Sequence, residues 1–430
     1  MNRVKVATAS ILRQKSVWAW SLYDVANSAF VTTVVAGFFP IFFKSYWSDP
    51  ADPVRSTFYL GLSNSLASIL VAFVAPFLGA LADGWGARKR LLALFAYLGV
   101  VMNLGLVFVH QGHWLLALLF YVLAVVGFSG SNIFYDALLS FVAPSGRRDL
   151  VSAFGYALGY LGGGLVFLLN VLMYQFPGWF YLSSPIMAVK YSFVVVSVWW
   201  AAFTVPLLLW VSETPVVGTQ PVTRLFSDSL RELYHTFRNI RVYRQAWLFL
   251  LAYWFYIDGV DTIIRMAVDY GKSIGFSNQT LITALLMVQF IAFPFALIYG
   301  WLGERIGTKR ALVLGIVGYM VITIFGYFMH SELQFYALAL LVSMFQGGLQ
   351  ALSRSFYSRL VPREKSAEFF GFYNMLGKFA VVLGPVLLGT VARVTGNIRL
   401  GILSIIFLFL IGLVLLLQVA EPEGDTAPKG

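Results

Sequence analysis

Asp24, Asp136, Asp258, Asp261, Arg354 and Lys378 stand inside long apolar runs of this 430-residue chain. An ionisable group at membrane depth costs at least ~2.5–3.5 kcal/mol, so each is a candidate for binding a proton, a solute or an opposite charge. Their neighbours follow helical spacing. Asp24 and Asn27 lie three apart, and Asn132, Tyr135 and Asp136 share one face. Gln346, Gln350 and Arg354 step by four. Trp254 precedes Asp258 and Asp261, and Arg265 follows Asp261 by four, the spacing of an intrahelical ion pair. Asn374 and Lys378 are also four apart. A carboxylate withdrawn from water holds a proton more firmly, which suits proton binding and release at Asp258. An outer-gate network with Arg265 is the competing reading. Lys378, near mid-depth, is placed to meet a carboxylate of the protein or of a solute.

Bond-making chemistry finds no support. The histidines, His110, His113, His235 and His330, show no metal-ligand spacing to acids, and there are no cysteines. The glycine run GYALGYLGGG lies within an apolar span and reads as helix packing, not as a nucleotide loop. No catalytic residue, metal or cofactor is expected. Without an ATP-binding motif, movement of a solute must follow a gradient.

The elements that position these groups must be membrane helices. Hydrophobic residues make up 59% of the chain and charged ones only 11%, too apolar for a water-soluble domain. A span needs about 20 apolar residues. The runs predict twelve: roughly 17–43, 57–82, 89–110, 114–142, 150–175, 186–211, 246–270, 279–302, 310–330, 333–360, 367–392 and 398–419. The N-terminal MNRVKVATASILRQK leads into the first run without a small-residue cleavage site, so an uncleaved span is expected. Alternate loops carry the basic residues, which places both termini on the cytoplasmic side. This asymmetry accounts for the net charge of +11 without a nucleic-acid partner. The expected partners are a lipid bilayer, a small-molecule substrate and possible protons, with the chain acting as a monomer.

A doubled motif divides the chain. Gly79, Asp83, Gly86 and Arg88 recur half a chain later as Gly300, Glu304, Arg305 and Gly307. The plan is an all-α membrane protein with twelve transmembrane helices in two pseudo-symmetric six-helix bundles, over 1–211 and 246–430. Residues 212–245 form a cytoplasmic linker with an amphipathic helix, either a plain bridge or a lipid sensor. Asp83 and Glu304 are expected to accept hydrogen bonds from the helices that follow them and to pair with basic loop residues, as a latch. Aligning Pro144 with Pro362 sets Asp136 opposite Arg354 with the sign of charge reversed. Asp136 or Asp24 is therefore expected to pair with Arg354 across a gate.

The doubled loop resembles the signature of the major facilitator superfamily, although Gly84 and Ala87 stand where basic residues are usual. A narrower resemblance runs through WSLYDVANSAFVTTV, FYDALLSFVAP, SAFGYALGYLGGG, LLAYWFYIDGVDTI, QGGLQALSRSFYSRLVP and AEFFGFYNMLGKFA. These segments are similar to the vacuole-effluxer family, the autophagy-related branch of that superfamily. The resemblance implies the major facilitator fold and a secondary active transporter exporting amino acids or a related metabolite, and Asp24, Asp136, Asp258 and Asp261 suggest coupling to protons. Short loops suggest a bacterial relative in the cytoplasmic (inner) membrane. The alternatives are an exporter or flippase of a bulkier apolar or lipid-like cargo, suggested by the 17% aromatic content, and a non-transporting membrane receptor.

Overall fold

The structure is a computed structural model that describes residues 11–49, 52–213, 231, 234–236, 238, 242–273, 275–379 and 383–421. Twelve helical segments among them are long and apolar enough to cross a membrane. The first half holds α1 (Lys15–Trp47), α2 (Phe58–Trp85), α3 (Arg88–Phe108), α4 (Trp114–Val142), α5 (Ser145–Gln175) and α6 (Pro185–Trp210). The second holds α7 (Arg244–Arg265), α8 (Gln279–Ile306), α9 (Thr308–Phe328), α10 (Glu332–Leu360), α11 (Arg363–Thr395) and α12 (Ile398–Gln418). The apolar residues expected on the linker helix, such as Leu225, Phe226 and Leu233, lie outside the described residues.

Helix ends explain where the sequence boundaries shift. The last turn of α2 continues to Trp85 because Gly86 closes it in the left-handed region, at φ 58°. Asp83, expected in the loop, is therefore held on the helix. Gly307 stands between α8 and α9 at φ 93°, and α8 runs on past Glu304. Helix α1 contains π-helical turns at Phe30–Phe38 and Phe43–Trp47. Side-chain caps open other helices: Ser184 serves α6, and Ser331 with Gln334 forms a capping box on α10.

The first half packs around aromatic rings. Trp20 stacks on Tyr135 at 4.5 Å, and Phe30 lies 5.2 Å from Trp200. Between the halves, α2 crosses α11 and α5 crosses α8, while α4 and α5 reach α11 and α10. Glycines permit both main crossings. A Cβ on Gly79 would strike the backbone oxygen of Ala367, and one on Gly300 would strike the Cβ of Ala153. The first glycine of each motif copy is thus where the two halves touch most closely.

Candidate functional site

The polar contacts between the halves gather at the motif-loop end of the bundle. At the α2–α11 crossing, Asp83 accepts hydrogen bonds from the backbone N–H groups of Ala367 (3.1 Å) and Glu368 (2.8 Å). These are orphan donors of the first turn after Arg363, so the carboxylate sits where a helix favours negative charge. Arg88 lies 2.6 Å from Asp83 and 3.2 Å from Glu213. It also donates to the Glu364 carbonyl (3.1 Å). Glu213 in turn accepts from the backbone N–H of Arg88 and Lys89, at 2.8 and 3.2 Å. This corrects the sequence expectation. The following helix α3 is capped by Glu213, and Asp83 reaches across to the other half.

The α5–α8 crossing is organised around Asp149. It accepts from Thr308 (2.6 Å), Ser355 (2.5 Å) and Arg359 (2.7 Å), all in the second half. Glu304, the repeat counterpart of Asp83, pairs with Arg147 at 2.7 Å. Its other carboxylate oxygen is buried without a hydrogen bond. No helix end caps against it among the described residues. Arg305 joins no acid among the described residues either; its guanidinium lies over the Trp301 ring at 5.0 Å. Arg148 donates to the Ser358 carbonyl (2.7 Å) and Ser152 to the Ala351 carbonyl (2.7 Å).

Deeper along the same seam Arg354 joins both halves. Its guanidinium lies 3.2 Å from Asp136 and 3.4 Å from Asp24. It donates to the Ser152 hydroxyl (2.9 Å) and carbonyl (3.0 Å). The rings of Trp20, Tyr135 and Tyr156 surround it at 4.7, 5.2 and 4.4 Å. Asp24 also accepts from the Tyr135 hydroxyl (2.6 Å), and Asp136 from the Asn374 amide (3.1 Å). Arg354 is 1% exposed, Asp24 7% and Asp136 8%. Two carboxylates therefore share one guanidinium in a dry seam, each with a further donor. Removing one member of such a buried group costs about 3–5 kcal/mol, because the others are left uncompensated. Gly155 is required beside it, since a Cβ there would press on Asp24.

The other candidates distribute differently. Asn27 bonds Asn132 (2.8 Å) inside the first half. Asp258 is fully buried and accepts from the backbone N–H of Leu383 and Gly384, both at 3.0 Å, and from Thr262. It caps the Leu383–Thr395 stretch of α11 and is no open carboxylate, contrary to the expectation of a weakly neutralised proton site. Asp261 and Arg265 do not close into the expected ion pair; Arg265 is exposed. Gln350 accepts from Tyr160 across the seam (3.4 Å). Buried polar atoms of Gln346 and Trp254 have no partner. Lys378 lies over the Phe128 ring of the first half at 5.8 Å.

Residues 53–428 match the family described as vacuole effluxer, Atg22-like. The chain belongs to this family. It is 41% identical over 405 residues, 94% of each chain, to the uncharacterised MFS-type transporter YxiO of Bacillus subtilis (strain 168). Autophagy-related protein 22 of Yarrowia lipolytica is 26% identical over 306 residues. That match takes in 64% of this chain and about half, 51%, of the fungal protein. Among solved structures, the proton:xylose symporter XylE superposes with a TM-score of 0.71 at 13% identity, covering 96% of each chain. FucP in the outward conformation gives 0.63 at 16% identity, covering 94% of this chain and 98% of that one. The fold is that of the major facilitator superfamily, and the Atg22-like chain is a multi-pass membrane transporter, not an enzyme.

Within this Atg22-like protein, sequence reading missed Arg147, Asp149, Ser152, Glu213, Ser355 and Arg359. One signal was available. The segment around Pro144 repeats around Pro362, and Asp149 opens an apolar helix directly after two arginines. Glu213 gave no comparable sign, because its partners lie on the far side of four helices in the chain.

Proposed function

We propose that this protein is a proton-coupled secondary transporter that works by alternating access and exports amino acids or a related small amphipathic metabolite. The observation that carries this reading is the Asp24–Arg354–Asp136 cluster, which spans the two halves. With one proton the three groups are neutral together; without it they hold a net negative charge out of water, which is costly. Closing this end of the seam is therefore favoured by proton uptake, and opening it by release. The alternation of basic loops assigns the motif-loop end to the cytoplasm. On this reading the protein lies in an inner membrane with both termini inside, and the joined seam is the state closed to the cytoplasm. One chain supplies both sides of the seam, so a monomer suffices. The family and the YxiO relative support a transporter, and the name vacuole effluxer supports the outward direction.

The test is solute flux in proteoliposomes with and without an imposed pH gradient, across a panel of amino acids and related metabolites. Wild type should accumulate a solute against its gradient only when protons flow the other way. Asp24→Asn and Asp136→Asn should lose that coupling yet keep exchange of labelled for unlabelled solute. Uphill transport retained by both variants would overturn the assignment of these carboxylates.

A further inference from the structure

We propose that Lys378 and Asp261 are the two poles of the solute site, Lys378 holding a carboxylate and Asp261 an ammonium group of one small zwitterion. The proposal rests on the transport reading above and fixes how the cargo is held.

The first argument is bonding. Five other buried charges of the seam and the helices around it are satisfied by the protein. Asp24 and Asp136 both accept from Arg354, Asp149 takes three donors, and Asp258 takes two backbone N–H groups. Lys378 and Asp261 make no hydrogen bond or ion pair among the described residues. Both are half-buried rather than sealed. A charge held at this depth without a partner is expensive. Where the buried charges around them have bonded partners, the missing partner of these two is expected to arrive with the ligand.

The second argument is direction. Lys378 faces the first half across the seam. It stands over Phe128 of α4. Asp261 lies within electrostatic reach of Lys378 and Arg265, and of Tyr156 and Tyr160 on α5. On α7, Trp254, Asp261 and Arg265 follow i, i+7, i+11 spacing and share one face. Exposure rises outward along that helix, from buried Asp258 through half-buried Asp261 to exposed Arg265. On α11, Asn374 binds Asp136 and Lys378 stands one turn further from the closed end. The two poles thus begin where the closed seam stops.

The third argument is order along the helices. Asp258 of α7 meets the backbone N–H of Leu383 on α11. Lys378 precedes Leu383 by five residues and Asp261 follows Asp258 by three, so Asp261 stands further from the closed end than Lys378. The carboxylate would point toward the closed end and the ammonium away from it. Arg265, one turn beyond Asp261, offsets that carboxylate while the site is empty. Asn374 couples the two systems, since it touches the Arg354 cluster one turn from Lys378.

The experiment measures binding on purified full-length protein by tryptophan fluorescence and calorimetry. The probes are free amino acids, each beside its deaminated acid and its decarboxylated amine. Wild type should bind at least one amino acid more tightly than either truncated probe. Lys378→Gln should weaken the amino acid and the acid by about 10- to 100-fold and leave the amine unchanged. Asp261→Asn should weaken the amino acid and the amine and leave the acid unchanged. Lys378→Arg should restore much of the affinity lost in Lys378→Gln. Should Lys378→Gln not yield folded protein, Asp261→Asn tests the other pole with the same probes. Wild type that binds no amino acid, or variants that weaken all three probe types equally, would overturn the assignment. Solute flux by wild type in the proteoliposomes would then still uphold the transport reading, so the two failures are distinct.

Discussion

The α2–α3 and α8–α9 loops repeat one sequence plan and hold the seam by different means. In the first, the motif acid itself crosses the seam: Asp83 takes two backbone N–H groups of α11 and Arg88. In the second, the motif acid Glu304 makes one ion pair, and the crossing is carried by Asp149 from the opposite half. The glycines behave alike in both, with Gly79 and Gly300 each at a helix contact. Close backbone approach tolerates only a hydrogen in place of a side chain, so that feature of a repeat is kept. A charge needs only some partner within reach, so its bearer can move to another helix.

That difference can be broken by mutation, and the chain offers a clean readout. It contains no cysteine, so spin labels at Arg90→Cys and Arg310→Cys report only the separation of the motif-loop ends. Both positions are exposed. The largest effect is expected from Asp149→Ala. It removes the one acid paired with the Arg359 guanidinium, 5% exposed at its side chain, among the described residues, and the acceptor of Thr308 and Ser355. The closed state should lose about 3–5 kcal/mol, seen as a shift of the label distances to longer values. If Asp83→Ala opens the seam further than Asp149→Ala, the two latches are ranked wrongly.

The glycines should give intermediate effects of about 1–3 kcal/mol from overpacking. Gly300→Ala meets the methyl of Ala153, so adding Ala153→Gly should restore short label distances. Gly79→Ala meets a backbone oxygen, which no side-chain change at position 367 can withdraw. Equal rescue of both by the paired small residue would refute the distinction. The smallest effect belongs to Glu304→Gln, within about 1 kcal/mol, because Arg147 is 22% exposed at its side chain and the pair is partly screened. A distance shift matching that of Asp149→Ala would show that the second motif acid matters as much as the first.

Much of the fold was legible because lipid imposes a simple rule. Backbone groups in a bilayer core must bond within the segment, so long apolar runs become helices. The alignment of Pro144 with Pro362 also brought Asp136 and Arg354 into register on one level of the bundle. Asp24 and Asp136 were read as alternative partners of Arg354, whereas the structure gives it both. Periodicity shows which residues share a helix face but not which face meets which. Asp261 and Arg265 have ion-pair spacing and stay apart, while Asp258, three residues earlier, turns to the backbone N–H groups of Leu383 and Gly384 on α11 instead.

The sequence by itself determined twelve membrane helices, two related halves and which helices carry charge. Hydropathy, glycine and proline positions are local properties, and the bilayer enforces their consequences helix by helix. Only the tertiary structure decided the pairing of charges. It gave Asp83 to α11, α3 to Glu213, and Arg354 to two acids at once, and it left Lys378 and Asp261 without a hydrogen bond or ion pair among the described residues. Pairing depends on how helices distant in the chain cross, and a crossing is set by packing of whole faces rather than by the spacing of residues along any one of them.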